Sequence, residues 1–548
     1  MNLKKNDIIP LSITGMTADG LGVGRYDNFP IFVPLSAIND SLMVRIVKVT
    51  KRFAFGRIEE ILNSSSDRIT SDCPYFTSCG GCTYRHISYK SELAIKQQKV
   101  TDALSRIGAF KDLPIQAILG DCRQSTDGYR NKALIPLGKD KDGKLQMGFY
   151  AVNSHRIVDA LTCRLQPAEF NLAMKIFREW HRKYPCSIYD EFSHSGLLRK
   201  LYLRKGEKTG EVMVGLISTK PKIPQVDELL AALQESLPTM VSFVVNINPD
   251  KTNVALGNRN ITLWGKDTIE DELCGLTFDI SPLSFYQVNR NQAEILYRKA
   301  AEYAGLTGNE ILLDFYCGIG TIGLSMAHQA KKVIGVEIIP DAIVNAKENA
   351  KRNRITNAEF ICGDAAQAAL ELRSQNEIPD VIIVDPPRKG CDLSLIETIV
   401  NLSPKRVVYV SCDPATLARD LRIFAEKGYH VTEVTPVDMF PRTAHVESVV
   451  LLSKLKSTDA IEVNIDLDEI DLTKSESKAT YDEIKQYVLD NAGLKVSPLY
   501  IAQVKRKYGI IERDNYNLGD SKARVPQVPL EKKKAITDAL RHFRMIDN

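Results

Sequence analysis

A rhythm that sets in at about residue 280 constrains this chain more than any other feature. Short apolar runs of buried-strand type recur at residues 311–315, 332–336, 358–361, 381–384 and 407–411. Helical stretches such as 340–352 and 414–426 lie between some of them. Parallel strands need crossover connections, so the alternation predicts a doubly wound parallel α/β sheet of Rossmann-like type. Ligands of such sheets sit outside the carboxyl ends of the strands. The residues at those ends therefore come first.

The first strand runs into Tyr316-Cys317-Gly318-Ile319-Gly320. Glycines there let the backbone turn tightly and approach a ligand at a helix N-terminus. Glu337 ends the second strand, where a carboxylate can accept both hydroxyls of a ribose. The third strand ends near Gly363-Asp364 and the fourth at Asp385-Pro386-Pro387-Arg388. Four such ends point to an S-adenosylmethionine (SAM) fold, and the broken G-x-G-x-x-G spacing argues against NAD. Cys412 follows the fifth strand in Ser411-Cys412-Asp413-Pro414, at the start of a helix whose N-terminus favours thiolate. Glu447 opens the strand 449–452 that would close the sheet. A thiolate, a base and a methyl donor in one crevice suit methylation at carbon 5 of a pyrimidine. Methylation of an exocyclic amine needs no thiolate. Cytosine-5 enzymes typically carry their nucleophile on the fourth strand, where this chain has Pro386-Pro387.

Upstream, five short strands in residues 1–62 predict a small closed barrel of the OB type. Lys48, Lys51, Arg52 and Arg57 interleave with Phe53 and Phe55, which suits a flexible RNA strand as well as a solvated edge. Cys73, Cys79 and Cys82 lie close together in a chain with 11 cysteines and no disulfide framework. That spacing signals metal, with Cys163, Cys122 and Cys186 as candidates for a fourth ligand. Spacing alone leaves zinc and an iron–sulfur cluster open. Residues 126–270 read as an α+β domain around an antiparallel sheet, with a hairpin across Asp142-Gly143.

The chain of 548 residues is long enough for about four domains. Their boundaries are drawn at 1–62, 63–270, 271–456 and 457–548, with a helix over 92–124 packing on the catalytic domain. Met1 to Gly20 carries no apolar signal segment, and no run approaches the length of a membrane span, so the expectation is a cytoplasmic protein with no membrane partner. The tail predicts an acidic strand at 459–471, then helices over 481–491 and 497–508, either helix-turn-helix-like or a docking module. The net charge is only +4. From Asp459 to Lys478, however, seven acids face two bases, a local −5, so the other 528 residues carry +9.

The sequence resembles the bacterial 23S rRNA (uracil-5-)-methyltransferases over about residues 1–455. The matching stretches are the TRAM-like barrel, the cysteine set, Ser284-Phe285-Tyr286-Gln287-Val288-Asn289, Asp314 to Gly320, Asp385 to Gly390, Ser411 to Asp420 and Met439 to Glu447. The resemblance implies Cys412 as nucleophile and Glu447 as base. It also implies Gln287, Tyr316, Glu337 and Asp385 as SAM contacts. Cys73, Cys79, Cys82 and Cys163 would then hold a [4Fe–4S] cluster, with Arg130 near the target base. The expected partner is 23S rRNA, taken by a monomer. A tRNA T-loop uracil methyltransferase and a non-catalytic RNA-binding assembly protein are the competing readings.

Overall fold

The computed structural model describes residues 3–121, 126–252, 254–374, 377–454, 481–508, 528–543 and 545. The chain forms two compact units, Met1–Asp459 and Ala460–Asn548.

The first unit opens with β1 (Ile8–Met16), β2 (Gly22–Tyr26), β3 (Phe29–Val33), β4 (Ser41–Val49) and β5 (Ala54–Asn63), which close into a barrel. Alternation along β1 turns Ile9, Leu11 and Ile13 inward, where they meet Ile31, Val33, Leu42, Val44 and Ile46. Phe32, Phe53 and Phe55 pack ring to ring, with centroids 5.3–5.8 Å apart. Asp40 locks the barrel to the segment that follows. Its buried carboxylate accepts from the Ala37 and Ser65 amides and from the Arg68 guanidinium.

Helix α1 (Tyr89–Arg106) starts at Ser88, whose hydroxyl accepts from the Ser91 amide. The helix expected over 92–124 is therefore shorter at its C-terminal end. Ala109 and Asp112 take positive φ and Pro114 follows, so the chain cannot continue helical. Instead Ile115 and Leu119 bridge to Val434 and Val437 of the catalytic sheet.

A seven-stranded sheet comes next, ordered β12-β11-β10-β9-β6-β7-β8. Its strands are β6 (Lys132–Lys139), β7 (Leu145–Tyr150), β8 (Ile157–Asp159), β9 (Leu198–Lys205), β10 (Val212–Ser218), β11 (Met240–Ile247) and β12 (Arg259–Gly265). Gly143 supplies the positive φ that the β6–β7 hairpin requires. The sheet is antiparallel except for β10 and β11, which run parallel and are joined through α3 (Val226–Ser236). Together with α2 (Ala168–Lys183), α3 buries one apolar face of the sheet.

A hairpin of β13 (Ile269–Leu273) and β14 (Leu276–Ile280) leads through α4 (Arg290–Ala304) into the catalytic sheet. That sheet is ordered β17-β16-β15-β18-β19-β21-β20. Its strands are β15 (Ile311–Phe315), β16 (Lys332–Glu337), β17 (Ala358–Cys362), β18 (Val381–Val384), β19 (Arg406–Ser411), β20 (Tyr429–Val437) and β21 (Glu447–Lys454). Helices α5 (Thr321–Met326), α6 (Pro340–Arg352), α7 (Ala365–Ser374), α8 (Leu393–Leu402) and α9 (Pro414–Glu426) connect or flank them. The first five strands are parallel, while β21 runs antiparallel to both β19 and β20. The sheet is thus mixed rather than wholly parallel, because β20 returns directly into β21 with no crossover helix. Large apolar cores cover both of its faces.

The second unit contains α10 (Tyr481–Ala492), α11 (Pro498–Lys507) and α12 (Leu530–His542) around Ile484, Val488, Ile501, Val504, Ile536 and Leu540. The acidic strand expected at 459–471 lies outside the described residues. Among the described residues no helix is long and apolar enough to cross a membrane.

Candidate active site

The strand order reverses at β15, between β16 and β18, and the crevice of the site opens there. Tyr316, Gly318 and Gly320 all take positive φ, so the chain turns sharply as it leaves β15. The amide of Gly323 donates to buried Asp314 at 2.9 Å. A Cβ at Gly323 would lie 2.9 Å from that same carboxylate oxygen, which explains the glycine. Glu337 accepts from the amides of Gly318, Ile338 and Ile339, so its carboxylate is held at the end of β16. Tyr316 and Glu337 share a cavity of about 340 Å³ with Ile338, Asp364, Lys389 and Asp392.

Asp385 follows β18. Loss of hydration pushes its carboxyl up to about 7. Gln287 sits just before α4, and its backbone carbonyl accepts from Asn131 at 2.8 Å. It does not line the cavity that holds Tyr316 and Glu337.

Cys412 is the first residue beyond β19 and Glu447 is the first of β21. Ser411 pairs with Ser448 in the antiparallel register, so the next position sets Cys412 opposite Glu447. Glu447 is only 4% exposed. Burial, and then the charge of Asp385, push its carboxyl up to about 8, while Arg388 opposes the shift. The thiol of Cys412 is pushed up to about 11 by burial, then by Glu447 and Asp385. The expectation that the helix N-terminus favours thiolate at Cys412 is corrected here. Asp413 caps α9 itself, accepting from the amides of Ala415 and Thr416, and Glu447, Asp385 and Asp413 all raise the thiol.

His445, two residues before Glu447, is driven down to about 4 by burial and by Arg388, Lys99, Lys96 and Arg130. Arg130 thus reaches the catalytic side from the central domain, with its guanidinium 5.9 Å from the centre of the Phe440 ring. The loop from Asp438 to Val446 is fastened from below. Lys96 of α1 donates to Asp438, Glu92 and the Phe440 carbonyl, and Lys99 donates to the Ala444 carbonyl. The amides of Thr83 and Tyr84 both donate to the Arg442 carbonyl.

Those amides directly follow the cysteine cluster. Cys73, Cys79, Cys82 and Cys163 all line one cavity of about 240 Å³. Arg85 and Arg164 also face that cavity, each paired with Asp72 and Asp127. The Gly81 amide donates to the Cys79 sulfur at 3.4 Å. Burial raises the thiols of Cys82, Cys163 and Cys79. Cys186 packs in the central core instead, and Cys122 lies outside the described residues. Among the described residues, no group of three or more His, Cys, Asp or Glu side chains stands ready to hold a metal ion. Four thiols lining one cavity are a donor set that suits either a zinc ion or an iron–sulfur cluster.

Sequence reasoning missed Lys389, Asp392 and His445 as site residues. Their neighbours signalled them only as parts of longer motifs. Asp364 was legible as the end of a strand.

The strand order and the ligand-facing strand ends define an SAM-dependent methyltransferase, here with an N-terminal barrel. The model of the tRNA (uracil-5-)-methyltransferase family matches residues 266–455, and that of the TRAM domain matches residues 3–58. An uncharacterized RNA methyltransferase of Clostridium tetani is 46% identical over 451 residues, which are 82% of this chain and 97% of the relative. One from Halalkalibacterium halodurans is 44% identical over 450 residues, 82% of this chain and 98% of the relative. The crystal structure of Pyrococcus abyssi tRNA (uracil-54, C5)-methyltransferase with S-adenosyl-L-homocysteine superposes with a TM-score of 0.64. It is 29% identical and covers 81% of this chain and all of that one. The chain belongs to the RNA (uracil-5-)-methyltransferase family and is an RNA methyltransferase.

Proposed function

We propose that this enzyme methylates carbon 5 of uracil in 23S rRNA through a covalent adduct on Cys412. The observation that carries the chemistry is the register that sets Cys412 opposite Glu447 at the sheet's carboxyl edge. SAM supplies the methyl group. The Cys412 thiol loses its proton to solvent, the thiolate adds to carbon 6 of uracil, and the electron pair moves to carbon 5 as an enolate. Carbon 5 then bonds to the methyl group as the methyl–sulfonium bond breaks, and S-adenosylhomocysteine leaves. The Glu447 carboxylate removes the carbon 5 proton, and the carbon 6–sulfur bond breaks to release the thiolate and 5-methyluracil. A carboxylate raised to about 8 is a far better proton acceptor than a solvated one, and its strength lies near the working pH.

In this reading Tyr316, Glu337, Gln287 and Asp385 hold SAM. Cys73, Cys79, Cys82 and Cys163 hold a [4Fe–4S] cluster, which would supply a rigid junction rather than redox chemistry. Arg130 stands beside the target base, which swings out of its RNA fold into the crevice. The barrel and the cysteine set support an rRNA target. The second reading is tRNA, which the Pyrococcus relative's substrate favours. Mapping 5-methyluridine in 23S rRNA and tRNA, with and without the gene, tests both. Loss of the mark from rRNA alone is expected. Loss from tRNA alone would replace the target, and no loss from either would overturn uracil methylation.

A further inference from the structure

The second unit lies outside residues 3–58 and 266–455, which the two family models match. The relatives in Clostridium tetani and Halalkalibacterium halodurans align with about 450 residues, 82% of this chain. Its described residues form three helices around an apolar core.

Packing of α11 on α12 through Ile501, Val504, Ile536 and Leu540 has an electrostatic result. It brings Lys507, at the end of α11, close enough to Lys533 on α12 for its charge to be the largest influence on that ammonium. Two like charges so placed oppose each other, and Lys533 is held below the ordinary lysine value, first by Lys507. No carboxylate among the described residues offsets Lys533; its one favourable neighbour is the phenol of Tyr508. One residue before Lys533, the ammonium of Lys532 lies 5.8 Å from the centre of the Tyr500 ring. Lys507 and Tyr508 are exposed. All three lysines lie in or next to the first turn of α12 or the last turn of α11. In the first turn of α12, Lys532 and Lys533 oppose the helix dipole, and Glu531 is the one acid there.

A protein surface that sets cations against one another gains most when an anion comes between them. Phosphates spaced along a chain supply several such anions at once, and two tyrosines beside the lysines offer faces on which bases can stack. We infer that Lys507, Lys532 and Lys533, with Tyr500 and Tyr508, form a binding site for single-stranded RNA on the C-terminal unit, separate from the methylation crevice. This inference does not depend on which base the crevice methylates. The unit would serve as a second attachment to the RNA on one chain, and linked modules gain affinity through effective concentration without new contacts.

The test uses the full-length protein and its K507Q/K532Q/K533Q variant. The probes are an unmodified 23S rRNA transcript, a fluorescent uridine 20-mer and a 20-base-pair DNA duplex, each titrated from about 0.05 to 0.3 M KCl. Each lysine–phosphate contact in a single strand contributes about 0.7 to the slope of log K against log salt. The variant is expected to bind both RNAs roughly tenfold more weakly at 0.1 M KCl, with slopes shallower by about 2. Equal affinities and slopes for wild type and variant would overturn the site. A loss confined to duplex DNA would overturn its assignment to RNA. Thermal unfolding of both proteins guards against misfolding. Should the triple variant unfold early, the single K533Q variant, which relieves the apposed charges, is read in its place, with an expected slope change of about 0.7. Methyl transfer by wild type is scored separately, so a failure of the proposed reaction leaves this result readable.

Discussion

Cys412 and Glu447 face each other across the seam where the parallel half of the catalytic sheet meets its antiparallel closure. The pairing of Ser411 with Ser448, the last in the β19–β21 register, brings the two positions together. Both carry their protons more tightly than in water, the thiol at about 11 and the carboxyl at about 8.

The first prediction separates the two roles. Cys412→Ala should abolish methyl transfer, a loss of at least about 10⁴-fold, as expected for removal of a nucleophile. Glu447→Gln should still form the bond to RNA but fail to release it. Denaturing gels with labelled RNA should then show a protein–RNA band for Glu447→Gln and none for Cys412→Ala. Full turnover by Cys412→Ala would refute the covalent route.

The second concerns pH. Glu447 acts as a base only when ionised and Cys412 attacks only as thiolate, so kcat/KM should rise steeply up to about 8 and keep rising, about tenfold per pH unit, toward about 11. Stability should move the other way. A carboxyl raised from about 4.5 to about 8 on folding holds its proton in the native state while the unfolded chain has lost it. Its contribution is complete below about pH 4.5 and is lost as pH rises through about 8. Tm should therefore fall between pH 5 and 8, and less steeply in Glu447→Gln.

The third concerns the buried triad of Lys96, Glu92 and Asp438, all fully buried. Lys96→Met removes the buried ammonium and leaves Glu92 with Arg442 and Asp438 with the Tyr89 hydroxyl. The cost should be about 3–5 kcal/mol, read from urea unfolding. Restoring neutrality with Lys96→Met, Asp438→Asn should recover part of it.

The fourth concerns the cysteines. Protein purified without oxygen should be brown, with a band near about 400 nm and about four irons per chain. Cys79→Ser should bleach it. Colourless protein with one zinc per chain would replace the cluster.

Much of this site was legible in the sequence because its residues sit at strand ends, and strand ends follow from apolar runs. Tyr316, Glu337, Asp385 and Cys412 each close such a run, and the sheet assembles them whatever the loops do. The charge state of Cys412 was not legible. It depends on Glu447 and Asp385, 35 and 27 positions away, and on a cap that uses the helix amides. The end of α1 was missed because apolar residues continue past Arg106 to Ile115 and Leu119. They serve there as a strand-like edge against β20 rather than as a helix face. The triad was invisible for a simpler reason. Nothing in a linear pattern announces that Lys96 has its partner 342 residues downstream.

That distance matters while the chain is being made. At roughly 5–20 residues per second, Lys96 leaves the ribosome about 20–70 s before Asp438 exists. In that interval α1 carries a charged face built for the interior, and the segment after Cys82 lacks the carbonyl its amides will bind. The barrel can close early, since its strands are local. The junction between the cysteine site and the catalytic loop cannot form until Asp438 and Arg442 have been made. A ribosome stalled shortly before Asp438 would therefore hold a finished barrel and an enzyme with no floor beneath its base.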